Sequence, residues 1–220
     1  MLQYNIRRTT LTPELCGLWD GPAWGRAPAL AVAWFHPKSS DHRPVTRAKL
    51  LYDEERLYVI FRVEDRYVRS VRTQPHDNVC RDSCVELFVQ PHADRGYFNF
   101  EWNCGGTVLL HYNETAGPGR RSAAFGPEWL ARVPVYHSMP AVVEPEMAGP
   151  VTWTLEFAAP FALFESVTPP VRPVAGTAWR ANLYKCGSET SHPHWASWSP
   201  LGEELSFHRP ETFGELRFAR

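Results

Sequence analysis

The sequence has no long apolar run and no sustained 3.6-residue apolar periodicity. Nothing approaches the length of a membrane span, and the signal of long amphipathic helices is missing. The first ten residues, MLQYNIRRTT, lack the apolar core of a signal peptide. The expected location is therefore the cytoplasm, or outside it if a leader has been trimmed. No basic tract stands out, since 23 Lys and Arg balance 24 Asp and Glu, and nucleic acid is a poor candidate partner. Cysteine is sparse and odd in number, at positions 16, 80, 84, 104 and 186. Five cannot all pair within one chain, so free and mostly buried thiols in a reducing compartment are expected. Cys80 and Cys84 lie four apart, which is not a zinc-knuckle spacing, and no CxxC is present. The hydrolase elbow G-x-S-x-G, the P-loop and the dinucleotide fingerprint are all absent. With no internal repeat or linker, 220 residues suit a single domain over 1–220.

What the chain does have is turns and rings. Twenty prolines and 14 glycines break it into short alternating runs. That pattern predicts an all-β fold: a two-sheet antiparallel β-sandwich of jelly-roll or immunoglobulin-like form, with at most one short helix, over 161–167. Strands are expected near 30–35, at 179–186 and at 213–218. Residues 46–52 and 56–64 form a hairpin across the polar tip Asp53-Glu54-Glu55. Residues 132–137 and 151–158 form another strand pair. The stretch from Asn113 to Pro127 reads as a surface loop. Aromatics make up 13% of the chain, with 9 Trp, more than a core of this size needs. Some tryptophans should then be exposed or face a ligand, while Trp19, Trp24 and Trp34 are expected to pack under the sandwich edge.

Residues 80–112, CRDSCVELFVQPHADRGYFNFEWNCGGTVLLHY, organise the rest. Strand side chains alternate between faces, so Asn99, Glu101 and Asn103 share one side while Phe98, Phe100 and Trp102 form an aromatic row on the other. A polar row on a rigid, aromatic-backed strand suits a polar ligand. Sugars have apolar faces that stack on indoles and hydroxyl rims that need donors and acceptors. If the second informative stretch, 179–200, folds against the first, then Asn182, Lys185, His194, Trp195 and Trp198 join Arg81, Glu86, Glu101 and Asn103 in such a set. Glu86 and Glu101 also raise a glycosidase carboxylate pair. Glu64 and Asp65 could hold calcium through oxygen ligands, and Cys186, His192, His194 and His208 raise a transition-metal question.

The segments LLYDEERLYVIFRVED, RDSCVELFVQP and GYFNFEWNCGGTVLLHY, with WRANLYKCGSETSHPHWASWSP and FHRPETFGELRF, resemble family 9 carbohydrate-binding modules, in their stand-alone branch with a DOMON-type β-sandwich. The resemblance runs over about 17–218. It implies non-catalytic recognition of a mono- or oligosaccharide between two aromatic walls, with structural calcium in some members. By that resemblance Arg81 and Glu86 hydrogen-bond the sugar and Trp198 is one wall. Trp195 or Tyr184 is the other, because Trp102 falls on the aromatic side of its strand. Relatives on the same sandwich bind haem, but the three methionines, Met1, Met139 and Met147, sit on no predicted strand.

Overall fold

Alternation along the strands builds two faces, and the apolar ones meet. The computed structural model describes residues 1–115, 119 and 121–220, so part of the 113–127 loop expected from sequence lies outside the described residues. In chain order the strands are β1 (Gln3–Arg8), β2 (Leu30–Val32), β3 (Trp34–Phe35), β4 (Val45–Tyr52), β5 (Arg56–Asp65), β6 (Val68–Ser70), β7 (Cys84–Gln90) and β8 (Tyr97–Asn103). They continue with β9 (Val108–Asn113), β10 (Ser122–Ala124), β11 (Val135–His137), β12 (Val143–Met147), β13 (Val151–Pro160), β14 (Ala178–Cys186), β15 (Trp195–Ser197) and β16 (Gly214–Phe218). Two short α-helices, α1 (Pro127–Leu130) and α2 (Phe161–Glu165), and three 3-10 turns (Trp24–Arg26, Val79–Arg81 and Pro210–Thr212) complete the set among the described residues. The sequence predicts α2 alone. In α1 a proline occupies the first turn, where its missing N–H costs nothing.

The front sheet runs β10-β9-β8-β7-β14-β16, and the back sheet runs β4-β5-β13-β11. One strand belongs to both. The first part of β1 pairs in parallel with β16 and its last two residues pair in parallel with β4. Among the described residues these are the only parallel pairings, and they close the two sheets along one edge; β6 and β12 form a separate two-stranded sheet. Leu57, Val59, Phe61 and Val63 of β5 face Phe98, Phe100 and Trp102 of β8 within one buried core. Ring centroids of Phe100 and Trp102 lie 5.6 and 5.7 Å from that of Phe157 across the gap. Each such side chain, fully buried, contributes about 1.5–3 kcal/mol of transfer free energy.

Both outer faces are also covered. On the back, Tyr58 and Ile60 pack with Trp24 and Ala158 beneath the N-terminal segment. Glu156 pins that segment by accepting from Trp24 Nε1 (2.8 Å) and the Gly17 amide (2.9 Å). Trp24 is thus buried as expected, whereas Trp34 is 58% exposed. The β4–β5 hairpin turns where the polar tip lies, with Asp53 Oδ1 accepting from the amides of Glu55 and Arg56. The β8–β9 turn needs its glycines. Gly106 has φ +87°, and a Cβ on Gly105 would sit 2.3 Å from the Ala141 carbonyl oxygen. Among the described residues no helix is long and apolar enough to cross a membrane.

Candidate functional site

The outer face of the front sheet carries a polar floor. Antiparallel register aligns Tyr184, Glu86 and Glu101 in one row across β14, β7 and β8, with Cys186, Cys84 and Asn103 in the next. The chain then returns over this face. Phe207 stacks on Tyr184 at 4.0 Å and 7°, and the Tyr184 hydroxyl donates to the Phe207 carbonyl (3.1 Å). His208 meets the Tyr97 hydroxyl through Nδ1 at 2.8 Å. Between this flap and Trp195 remains a pocket of about 210 Å³, with Glu86, Glu101, Phe88 and Cys186 at its base and Cys80 and Ser188 beside them.

The two carboxyl groups differ in what they can offer. Glu86 is 1% exposed, and its Oε2 has no hydrogen-bond partner. Burial, reinforced by the neighbouring Glu101, pushes its carboxyl well above the usual range, so it keeps a proton. Glu101 Oε1 accepts from Asn99 Nδ2 (2.7 Å), and Asn99 Oδ1 accepts from Asn113 Nδ2 (2.6 Å). That relay turns Glu101 into the acceptor beside a protonated donor. Burial also raises the Cys80 thiol to about 12, which leaves it a poor nucleophile at neutral pH.

Not all the residues singled out from the sequence converge here. Glu86, Glu101 and a half-buried Trp195 line the pocket. Arg81 is exposed on the adjoining loop, with its guanidinium 3.0 Å from Glu189. The Asn103 side chain is held in the β8–β9 turn by the Arg72 carbonyl, Asp82 and the Thr107 amide. Asn182 is buried and fastened to the main chain of Ser199. Trp198 is 6% exposed and belongs to the sandwich core, so tight against Gly214 that a Cβ there would lie 2.8 Å from the indole. Lys185 and His194 lie on the other side of the sheet. Strand alternation, which puts Tyr184 and Cys186 on the pocket face, sends Lys185 inward. Cys186, His192, His194 and His208 do not all converge: Cys186 and His208 line the pocket, His194 lies on the other side of the sheet, and His192 stacks on Tyr67 at 3.7 Å. None of the three methionines lines the pocket.

Lys185 and His194 instead join a buried charge cluster between the sheets. Lys185 Nζ donates to His194 Nε2 (2.7 Å) and the Cys186 carbonyl (3.0 Å), and lies 3.4 Å from Asp65 Oδ2. Asp65 also accepts from His42 Nε2 (2.7 Å), Trp153 Nε1 (3.2 Å) and the Arg66 amide (2.8 Å). Burial alone would raise the Asp65 carboxyl, but Lys185 and His42 outweigh it and hold it well below the usual range. Its neighbour Glu64 points the opposite way, to Arg62 (2.5 Å) and Arg47 (3.2 Å) on the surface. Glu64 and Asp65 thus engage separate cations and do not converge on one ion.

Phe88, Ser188 and Phe207 were not singled out from sequence. Phe88 was within reach, because it shares the parity of Glu86 on β7. The flap residues were not, since nothing local to a loop reports which face it covers. A larger surface cleft of about 820 Å³ between Arg8, Asp53 and Arg172 is rimmed by solvent-exposed ion pairs, Arg8–Glu54 and Arg172–Glu55.

The sequence model of carbohydrate-binding family 9 matches residues 26–218. Among solved structures, a candidate carbohydrate-binding protein from Bacteroides uniformis is similar over 98% of both chains, with TM-score 0.83 and 28% identity. A family 9 module from Caldicellulosiruptor kristjanssonii in complex with cellotriose aligns at TM-score 0.67 and 14% identity, over 99% of this chain and 94% of that one. A family 9 module from the same organism, in complex with glucose, aligns at TM-score 0.64 and 14% identity, over 98% and 96%. No curated protein matches the chain.

Proposed function

The chain belongs to carbohydrate-binding family 9, and from that membership we propose that the pocket beside Trp195 holds one pyranose ring and performs no chemistry on it. The observation that carries this reading is the cross-strand pair of Glu86 and Glu101 at the base of an open pocket with an indole on its wall. A protonated carboxyl donates, a carboxylate accepts, and one sugar hydroxyl can serve each. Trp195 offers the apolar surface on which the C–H face of the ring stacks. The volume, about 210 Å³, is below the roughly 300–1,000 Å³ of pockets for drug-sized ligands and suits a single ring at a chain end. The similar modules solved with glucose and cellotriose support the choice of ligand class.

Hydrolysis is the weaker reading. A glycosidase places its carboxyl groups on either side of the scissile bond, about 5–9.5 Å apart. Glu86 and Glu101 rise side by side from one sheet surface. Calorimetry with glucose, cellobiose and cellotriose tests the proposal. Trp195→Ala should weaken binding about tenfold, near 1.4 kcal/mol, with the circular dichroism spectrum unchanged. A wild-type protein that binds none of these sugars, or an alanine variant that binds them equally well, rejects it.

A further inference from the structure

We propose that Cys84, Cys186 and Glu86 form a binding site for a zinc-class divalent metal at the base of the pocket. The inference does not depend on the saccharide reading: with a metal bound, Glu86 gives up its proton and coordinates instead of donating to a sugar hydroxyl. Cys84 and Cys186 are direct partners across the β7–β14 ladder, and Glu86 follows Cys84 by two residues on the same face. Their three ligand atoms lie within 4.8 Å of one another, and all three residues are buried. Glu86 Oε1 is 3.2 Å from Cys186 Sγ and 3.8 Å from Cys84 Sγ.

Those spacings are what tetrahedral zinc requires. Zn–S bonds near 2.3 Å and Zn–O bonds near 2.1 Å put ligand atoms roughly 3.5–3.8 Å apart. Both thiol-to-carboxyl distances fall within a few tenths of an ångström of that spacing, and the thiol-to-thiol side is no longer than 4.8 Å. A second feature points the same way. Glu86 Oε2 is buried without any hydrogen-bond partner, so the carboxyl group has coordinating capacity that the protein leaves unused. Two thiols with one carboxylate make a soft, mixed donor set that selects zinc over calcium or magnesium. Three protein ligands also leave a fourth position, and Glu86 and Cys186 both line the pocket. The pocket gives water or a ligand hydroxyl access to the two ligands that line it, and either can complete the tetrahedron.

The test uses the full chain, reduced, stripped with chelator and then titrated with cobalt(II) and with zinc. One equivalent of cobalt should bind and give a near-ultraviolet thiolate-to-metal charge-transfer band, which zinc then displaces. Cys84→Ser and Cys186→Ser should each lose the band, while Cys16→Ser and Cys104→Ser keep it. If a serine variant fails to fold, alkylation of the wild type in enough urea to open the buried thiols, mapped by mass spectrometry, replaces it. Zinc should protect Cys84 and Cys186 and leave the labelling of Cys16 unchanged. No band and no retained zinc in the wild type, equal alkylation with and without zinc, or a Cys84–Cys186 disulfide that forms in place of a metal complex overturns the proposal. Glucose calorimetry on the same stripped and loaded samples separates the two readings, because zinc binding without glucose binding refutes only the saccharide site, and the converse refutes only the metal.

Discussion

Asp65→Asn should cost about 3–5 kcal/mol of folding stability, the usual penalty for removing one partner of a buried ion pair. Lys185 has no exposed side-chain surface; its ammonium meets His194 Nε2 and the Cys186 carbonyl through hydrogen bonds and Asp65 Oδ2 as an ion pair at 3.4 Å. Only the last of these carries the compensating negative charge. Asparagine preserves the shape but strands the ammonium. It also turns an NH₂ group toward the donors His42, Trp153 or Lys185, all of which require an acceptor. For a domain of this size each kcal/mol moves the midpoint of thermal unfolding by about 2–4 °C, so a fall of roughly 6–20 °C is expected. The reverse deletion, Lys185→Met, should cost less, because Asp65 keeps His42, Trp153 and the Arg66 amide. The double variant should then be more stable than the sum of the single losses implies. Denaturant unfolding of the four proteins checks this. A loss below about 1 kcal/mol for Asp65→Asn, or strict additivity, contradicts the ion-pair account.

The cluster also marks where sequence reading succeeds and where it stops. The strands were legible because proline, glycine and aspartate bracket short alternating runs. The β4–β5 hairpin with its Asp53 tip, the β13–β11 pair and the aromatic row on β8 all follow from local pattern. So does the placement of Glu86 and Glu101 opposite each other, since only a short loop separates β7 from β8. Two things were not legible. β1 joins the sheets by parallel pairings to strands far away in sequence, and its own pattern does not name those partners. The tryptophans near the C-terminus were ambiguous for a different reason. Trp195 and Trp198 lie three positions apart, with β15 ending between them, so burial depends on the flap and on Gly214 rather than on their own segment. One error was avoidable. Asn182 and Lys185 cannot share a face of a regular strand, and parity alone places the lysine between the sheets.

His194 should make the protein acid-sensitive well above the range in which ordinary carboxylates titrate. Its Nδ1 lies 2.9 Å from the His192 carbonyl, which can only accept, so Nδ1 carries the hydrogen. Its Nε2 accepts a hydrogen bond from Lys185, which can only donate, so Nε2 must stay unprotonated. Protonation would set an N–H against an ammonium. Burial first, and Lys185 second, bring its pKa down from 6.5 to about 3. The other ionisable groups facing it are Asp65 on β5 and His42 on the loop before β4, and Asp65 only partly offsets the lysine. In the unfolded chain the same imidazole binds a proton near pH 6.5. The stabilising contribution is thus complete above that pH and is lost progressively as pH falls toward 3, because the unfolded state takes up a proton that the folded state refuses. Between pH 7 and pH 5 the wild type should lose about 2 kcal/mol more than His194→Gln. Glu86 and Glu156, whose raised values act in the opposite direction, are common to both proteins and cancel in the comparison. Parallel stability curves for the two proteins over that interval would mean that the ring is protonated in the fold, and that Lys185 takes its partner elsewhere.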